Sequence, residues 1–199
     1  MPTPFWRYAL LQPPITSGLH AHFTAVAAAT EKPVVLYDIP VRSGRKISLD
    51  TLLSLFEVDN IIVGAADAAG DVAETAQLIA KLDGSGMVYS GEDKLTLPLL
   101  AVGAIGVIGV ATHWAGREMS AMFDAFARGD VAEARRLNAL MIPSYQFETS
   151  DDAPNPVPSK VLMNLLGLDV GTCRSPMGPA PDSLNERATS VLTGLGRSL

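Results

Sequence analysis

Polar residues collect where apolar runs of this 199-residue sequence end. "VLYDIP" closes on Tyr37 and Asp38, and "NIIVGAAD" on Asp67. "MVYSGED" closes on Ser90, Glu92 and Asp93, and "GVIGVATH" on Thr112 and His113. Polar groups delivered by several separate strand ends are how a parallel barrel builds an active site. One strand end breaks the pattern. In "IIVGAADAAGD", Ala65 and Ala66 stand where a barrel strand would present a reactive side chain, and a methyl group has no lone pair to offer. Lys94 follows "SGED", but an amine on a neighbouring strand arrives at a different place, and reactivity depends on geometry. Taken singly, a strand-end tyrosine such as Tyr37 is an amphipathic core residue needing one hydrogen bond, and Arg42 is a solvated charge. His20 and His22 stand two apart on a helical pattern and face different sides, so they do not form a metal pair. His113 reads as a cap or packing residue. Cys173 has no base near it in sequence and reads as a structural thiol.

These residues are carried by short β-branched runs alternating with helical periodicity. Strands are expected at 8–12, 33–40, 60–66, 86–91 and 104–112. Helices are expected at 19–30, 48–57 with Ser48 as N-cap, 71–82 opening at Asp71 with Lys81 near its end, 92–103 and 114–129. After that the strands stop. Helical segments follow at 130–147, 155–166 and 181–196, with a Pro/Gly-rich connector at 171–181. Strict βα alternation with strands apolar on both faces implies a parallel sheet covered by helices. No GxGxxG turn follows the first strand, which favours a barrel over a dinucleotide-binding sheet. The expected organisation is partial-barrel βα units over 1–128 and a helical region over 129–199.

Composition narrows the function classes. The charge of −6 is spread along the chain without a basic stripe, so nucleic acid is not an expected partner. Apolar stretches are interrupted before they could span a bilayer. The N-terminus reads as no secretory signal, and one cysteine fits a reducing compartment, so a soluble cytoplasmic protein is expected.

The ordered set "VLYDIPVRSG", "NIIVGAADAAGD", "SGED", "GAIGVIGV" and "PNPVPSK" resembles the dihydrodipicolinate synthase / N-acetylneuraminate lyase family, closest to its synthase branch. The resemblance runs from about residue 9 to the C-terminus. It implies an α/β fold, a partial (β/α)8 TIM barrel of about five βα units corresponding to strands four to eight, with a C-terminal helical extension. The family's first three units, with their carboxylate-holding threonines, have no counterpart in this sequence. Family members are lyases of lysine and diaminopimelate biosynthesis. A lysine forms a Schiff base with pyruvate, and the iminium then serves as an electron sink. On this resemblance Tyr37 is the proton-relay tyrosine and Arg42 the arginine that holds the carboxylate of the second substrate. Ile108 is the position whose carbonyl faces the reactive lysine, and Ala66 is the place of that lysine. The family's interfacial tyrosine falls in "LLQPPITSG", which offers Ile15 and Thr16 instead. Phe5, Trp6 and Tyr8 receive no role.

The resemblance implies a small keto acid such as pyruvate as partner, no cofactor and no metal, and a homo-oligomer. Three readings follow from it. The chain is a synthase-like, pyruvate Schiff-base lyase impaired at Ala66 and by the absent units; it is a catalytically dead keto-acid-binding or regulatory paralogue; or it is a degraded reading frame whose open half-barrel is unstable. Lys94 is the candidate for a substitute amine.

Overall fold

A computed structural model describes residues 15–58 and 62–197. They fall into two compact units that divide between Ile108 and Gly109. The first unit comprises α1 (Thr16–Ala28), β1 (Val34–Asp38), the short α2 (Pro40–Ser43), α3 (Leu49–Val58), β2 (Ile62–Asp67), α4 (Val72–Leu82), β3 (Met87–Ser90), a 3-10 turn (Asp93–Leu95), α5 (Thr96–Ala101) and β4 (Gly106–Val107). The strands form one parallel sheet in the order β1-β2-β3-β4. No neighbour is skipped, so the described strands contain no reversal of strand order of the doubly wound kind.

Local chemistry sets the boundaries. Pro40 closes β1 and occupies the first turn of α2, where its missing N–H is no loss. Ser48 precedes α3, and its hydroxyl accepts the Thr51 N–H and shares a 2.8 Å hydrogen bond with the Thr51 hydroxyl. Asp71 caps α4 by accepting the Glu74 N–H at 2.9 Å, and Lys81 lies in the last turn of that helix. Gly64 is required by the sheet itself. A Cβ there would stand 2.8 Å from the Met87 carbonyl oxygen, and the β1–β2 register slips just beside it, between Val34 and Val35.

Helices cover one face of this sheet. Leu36, Ile62, Ala65 and Val88 pack with Ala27 of α1, Leu52 and Leu55 of α3, and Leu78 and Leu82 of α4. The opposite face leaves Val35, Tyr37 and Met87 exposed.

Two expected elements are shorter than the pattern suggests. The run 104–112 contributes only Gly106–Val107 to the ladder, with one flanking bond on each side from the N–H groups of Ile105 and Ile108. Glycines at 106 and 109 weaken it as a strand, and Thr112 and His113 belong to the next helix. The run 92–103 divides into the 3-10 turn and α5. In the other direction α1 begins at Thr16, before the apolar pattern starts, because Thr16, Ser17 and Gly18 carry no periodicity to read. The strand expected at 8–12, with Phe5, Trp6 and Tyr8, lies outside the described residues.

The second unit is helical: α6 (Thr112–Ala127), α7 (Val131–Phe147), α8 (Val157–Leu165) and α9 (Ser183–Gly194). Gly129, at φ 77°, turns the chain from α6 into α7, and Asp130 caps α7 through the Glu133 N–H. Trp114 meets Phe147 edge-on at 6.3 Å, and Arg187 lies 5.9 Å over the same Phe147 ring. Arg197 ties the end of the unit to α6 through Glu118 at 2.8 Å.

Candidate active site

The sheet register sorts the strand-end residues into rows. Leu36, Ala65 and Val88 are paired neighbours and belong to the helix-covered core. Successive side chains alternate between faces, so the next row, Tyr37–Ala66–Tyr89–Gly106, projects to the open face. The row after it, Asp38–Asp67–Ser90, turns back toward the helices and loops.

That last row is structural. Asp38 is 2% exposed and accepts the Ile47 N–H at 3.0 Å. Asp67 accepts the Ala69 N–H at 2.8 Å and the Thr75 hydroxyl. The buried Ser90 hydroxyl donates to the Glu92 carbonyl at 2.9 Å and accepts from Thr96 at 3.1 Å. Each side chain fastens its strand end to the segment that follows it. In the second unit, the Thr112 hydroxyl donates to the Gly109 carbonyl, and an imidazole nitrogen of His113 lies 2.8 Å from the Val110 carbonyl. Both serve the turn at the start of α6. Polar strand ends that looked like site groups in the sequence are therefore mostly fasteners.

The open-face row carries two phenols. Tyr37 is 49% exposed. Its ring reaches Gly91, where a Cβ would stand 3.0 Å from the ring and 3.2 Å from Ala68, so the ring leans across the end of β2. Tyr89 lies against Gly106 in the same way, with a would-be Cβ at 2.9 Å. Between the two tyrosines Ala66 is 3% exposed. Partial burial, and then the negative charges of Glu92 and Asp93, push the Tyr37 phenol above its usual range against the opposing pull of Arg42. Tyr37 is thus held as a neutral phenol, able to donate a hydrogen bond. Arg42 sits on the exposed α2 with its N–H on the Ile39 carbonyl at 2.9 Å, and its guanidinium makes no hydrogen bond or ion pair among the described residues. Ile108, 55% exposed, is fixed beside β3 by its N–H on the Ser90 carbonyl at 2.8 Å.

Two lysines lie near these strand ends. Lys94 is exposed and 3.7 Å from Glu92. Lys46 stands 2.7 Å from Glu74 and 3.7 Å from Asp38, on the helix-covered side. Burial would lower the Lys46 ammonium, but Glu74, with Asp38 and Asp67, more than reverses this and holds it above its ordinary value. A permanently charged amine facing two carboxylates is no nucleophile.

Sequence reading missed Tyr89 and Lys46. Tyr89 had a signal. In β1, β2 and β3 alike, the row residue immediately precedes the fastening residue, giving Tyr37-Asp38, Ala66-Asp67 and Tyr89-Ser90. Lys46 had none, because its partners come from β1 and α4. Among the described residues, no group of three His, Cys, Asp or Glu could hold a metal ion, and no helix is long and apolar enough to cross a membrane. Cys173 lines a crevice of about 40 Å³ with Lys160 and Asn164, which pin the connector through the carbonyls of Val170, Gly171 and Thr172.

Known proteins resemble this chain in sequence and in fold. The family model described as Dihydrodipicolinate synthetase family matches residues 4–194. A 4-hydroxy-tetrahydrodipicolinate synthase of Listeria welshimeri is 40% identical over 184 residues, 92% of this chain and 62% of that protein. The corresponding synthase of Moorella thermoacetica is 40% identical over 185 residues, with the same shares of both chains. A crystal structure of dihydrodipicolinate synthase from Bacillus anthracis superposes with a TM-score of 0.85 at 39% identity, covering 90% of this chain and 61% of that one. A chloride-inhibited dihydrodipicolinate synthase from Acinetobacter baumannii, complexed with pyruvate, gives 0.84 at 32% identity over 98% of this chain and 64% of that one. The chain thus spans about 62% of the length of the curated relatives it matches.

Proposed function

The chain belongs to the dihydrodipicolinate synthetase family, and from that premise we propose that its strand ends hold a small keto acid such as pyruvate without forming an imine with it. The observation that carries this reading is the row Tyr37–Ala66–Tyr89. Its two outer members keep phenols on the open face. Its middle member, where the family resemblance puts the Schiff-base lysine, is a methyl group. On this reading the four described strands are a consecutive arc of the family's barrel. Their unbroken order and a sheet covered by helices on one face support it.

Binding is assigned to groups already in place. Arg42 takes the carboxylate, since it is exposed and has no competing partner among the described residues. Tyr37, kept neutral by burial and by Glu92 and Asp93, donates to the keto oxygen. Ile108 forms one wall, and its backbone carbonyl completes the family's pattern. No step of carbon–carbon bond formation follows, because the electron sink that an iminium supplies is absent. The protein then acts as a keto-acid-binding or regulatory relative of the lyase.

Isothermal titration calorimetry with pyruvate tests this. The protein binds pyruvate, and Arg42→Gln weakens binding by about ten- to a hundredfold, the value of a charge-assisted hydrogen bond. Failure of pyruvate to bind the folded protein, or equal binding by Arg42→Gln, refutes the assignment.

A further inference from the structure

Arg42 rides on a turn, residues 39–47, that leaves the end of β1 and returns to it. The turn is braced from within. The Ser43 hydroxyl bridges the Ile39 and Arg45 carbonyls at 3.0 and 2.9 Å, and the Gly44 N–H donates to the Pro40 carbonyl at 2.8 Å with Gly44 at φ 75°. Its outer side is tied to α1 by Arg45 donating to the Thr16 hydroxyl at 2.9 Å. Its two ends meet at Asp38. One oxygen of that carboxylate accepts the Ile47 N–H. The other is buried with no hydrogen-bond partner, and the Lys46 ammonium stands 3.7 Å from it. Lys46 in turn makes its close contact with Glu74 of α4, at 2.7 Å.

We infer that Lys46 is a positioning residue, which by joining Asp38 of β1 to Glu74 of α4 fixes the Arg42-bearing turn over the strand ends. The inference rests on the keto-acid reading for its functional consequence, but not for its structural content. The charges explain why one lysine matters. Asp38 is faced by the Asp67 carboxylate as well as by Lys46, and burial already raises its pKa. Without the ammonium, the buried Asp38 has one backbone donor and a like charge across the sheet. It then protonates or swings out, and either change loosens its hold on Ile47. Glu74 cannot substitute, being a carboxylate itself. An arginine can, because it carries the same charge on a stem of similar reach.

Hydrogen exchange read peptide by peptide tests this on the full chain. In Lys46→Met and, from the other side of the tie, in Glu74→Gln, peptides covering 39–48 exchange about tenfold faster, while β2 and β3 peptides stay within about twofold of wild type. Lys46→Arg restores protection. Uniform acceleration across the first unit, unchanged exchange at 39–48, or no rescue by arginine overturns the inference. Pyruvate titrations separate it from the reading beneath it. Lys46→Met weakens binding severalfold in the wild-type background and has no further effect beside Arg42→Gln. If Arg42→Gln weakens binding and Lys46→Met does not, the positioning role fails while the keto-acid reading survives. If the local exchange effect appears and pyruvate never binds, the turn is positioned as inferred and the keto-acid reading fails.

Discussion

Asp67 stands one residue beyond Ala66 and looks in sequence like a catalytic carboxylate. The structure gives it a different task, and removing it tests the row assignment quantitatively. In Asp67→Ala the Ala69 N–H loses an acceptor at 2.8 Å and the Thr75 hydroxyl loses one of two. Thr75 still donates to the Asp71 carbonyl at 2.9 Å, so no buried hydroxyl is stranded. Ala69 is partly accessible, so its N–H recovers some solvation. Two bonds to a charged acceptor, reduced by these recoveries, leave a net loss of about 1.5–3 kcal/mol. Asp67→Asn keeps the acceptor for Ala69 and offers its amide to the Thr75 oxygen, so it costs less than about 1 kcal/mol. Urea unfolding followed by far-ultraviolet circular dichroism measures both, and an unchanged m-value confirms that stability alone has moved. Pyruvate affinity is unaltered in Asp67→Asn. If Asp67→Ala unfolds with wild-type stability, or Asp67→Asn abolishes ligand binding at full stability, then Asp67 faces the open side and the row assignment is wrong.

Lys46 gives a pH prediction. Its folded-state pKa lies above the unfolded value, so its contribution is complete below about pH 10.5 and disappears as pH rises through the folded pKa; the stability gap between wild type and Lys46→Met is therefore flat at neutral pH and closes at strongly alkaline pH. Tyr37 gives another: an ultraviolet titration of wild type minus Tyr37→Phe shows a phenol ionising above the ordinary tyrosine range, and a midpoint at or below that range contradicts the stated effect of burial and of Glu92 and Asp93. In the second unit, Glu118→Gln lowers unfolding stability by about 1–2 kcal/mol, because its pair with Arg197 is mostly buried. Glu133→Gln, at the partly exposed partner of the exposed Arg136, leaves the melting temperature unchanged.

The alternation of apolar runs and helical periodicity was enough to place the described strands, and Ser48 and Asp71 announced their helices correctly because capping is local chemistry. The Gly106–Val107 strand was overextended because glycine-rich apolar sequence matches a strand in hydropathy but not in ladder formation. The chemistry was harder to read. Asp38, Asp67 and Ser90 are polar residues at strand ends, and nothing in their identity says which face they take. One residue of alternation separates a fastener from an open-face group, and only the register decides. Tyr89 was overlooked for the same reason. Arg42 and Tyr37 were singled out through their motif, whereas Lys46 needed the spatial meeting of β1 with α4.

The central claim is that Ala66 removes the imine step while leaving the place for it. Incubating the purified protein with pyruvate and borohydride, beside an Ala66→Lys variant, and taking intact masses tests it directly. The account predicts no adduct on the wild-type chain and a single reduced pyruvyl adduct, mapped to residue 66, on the variant. A stoichiometric adduct on the wild-type chain, with Lys94 the first peptide to inspect, contradicts it.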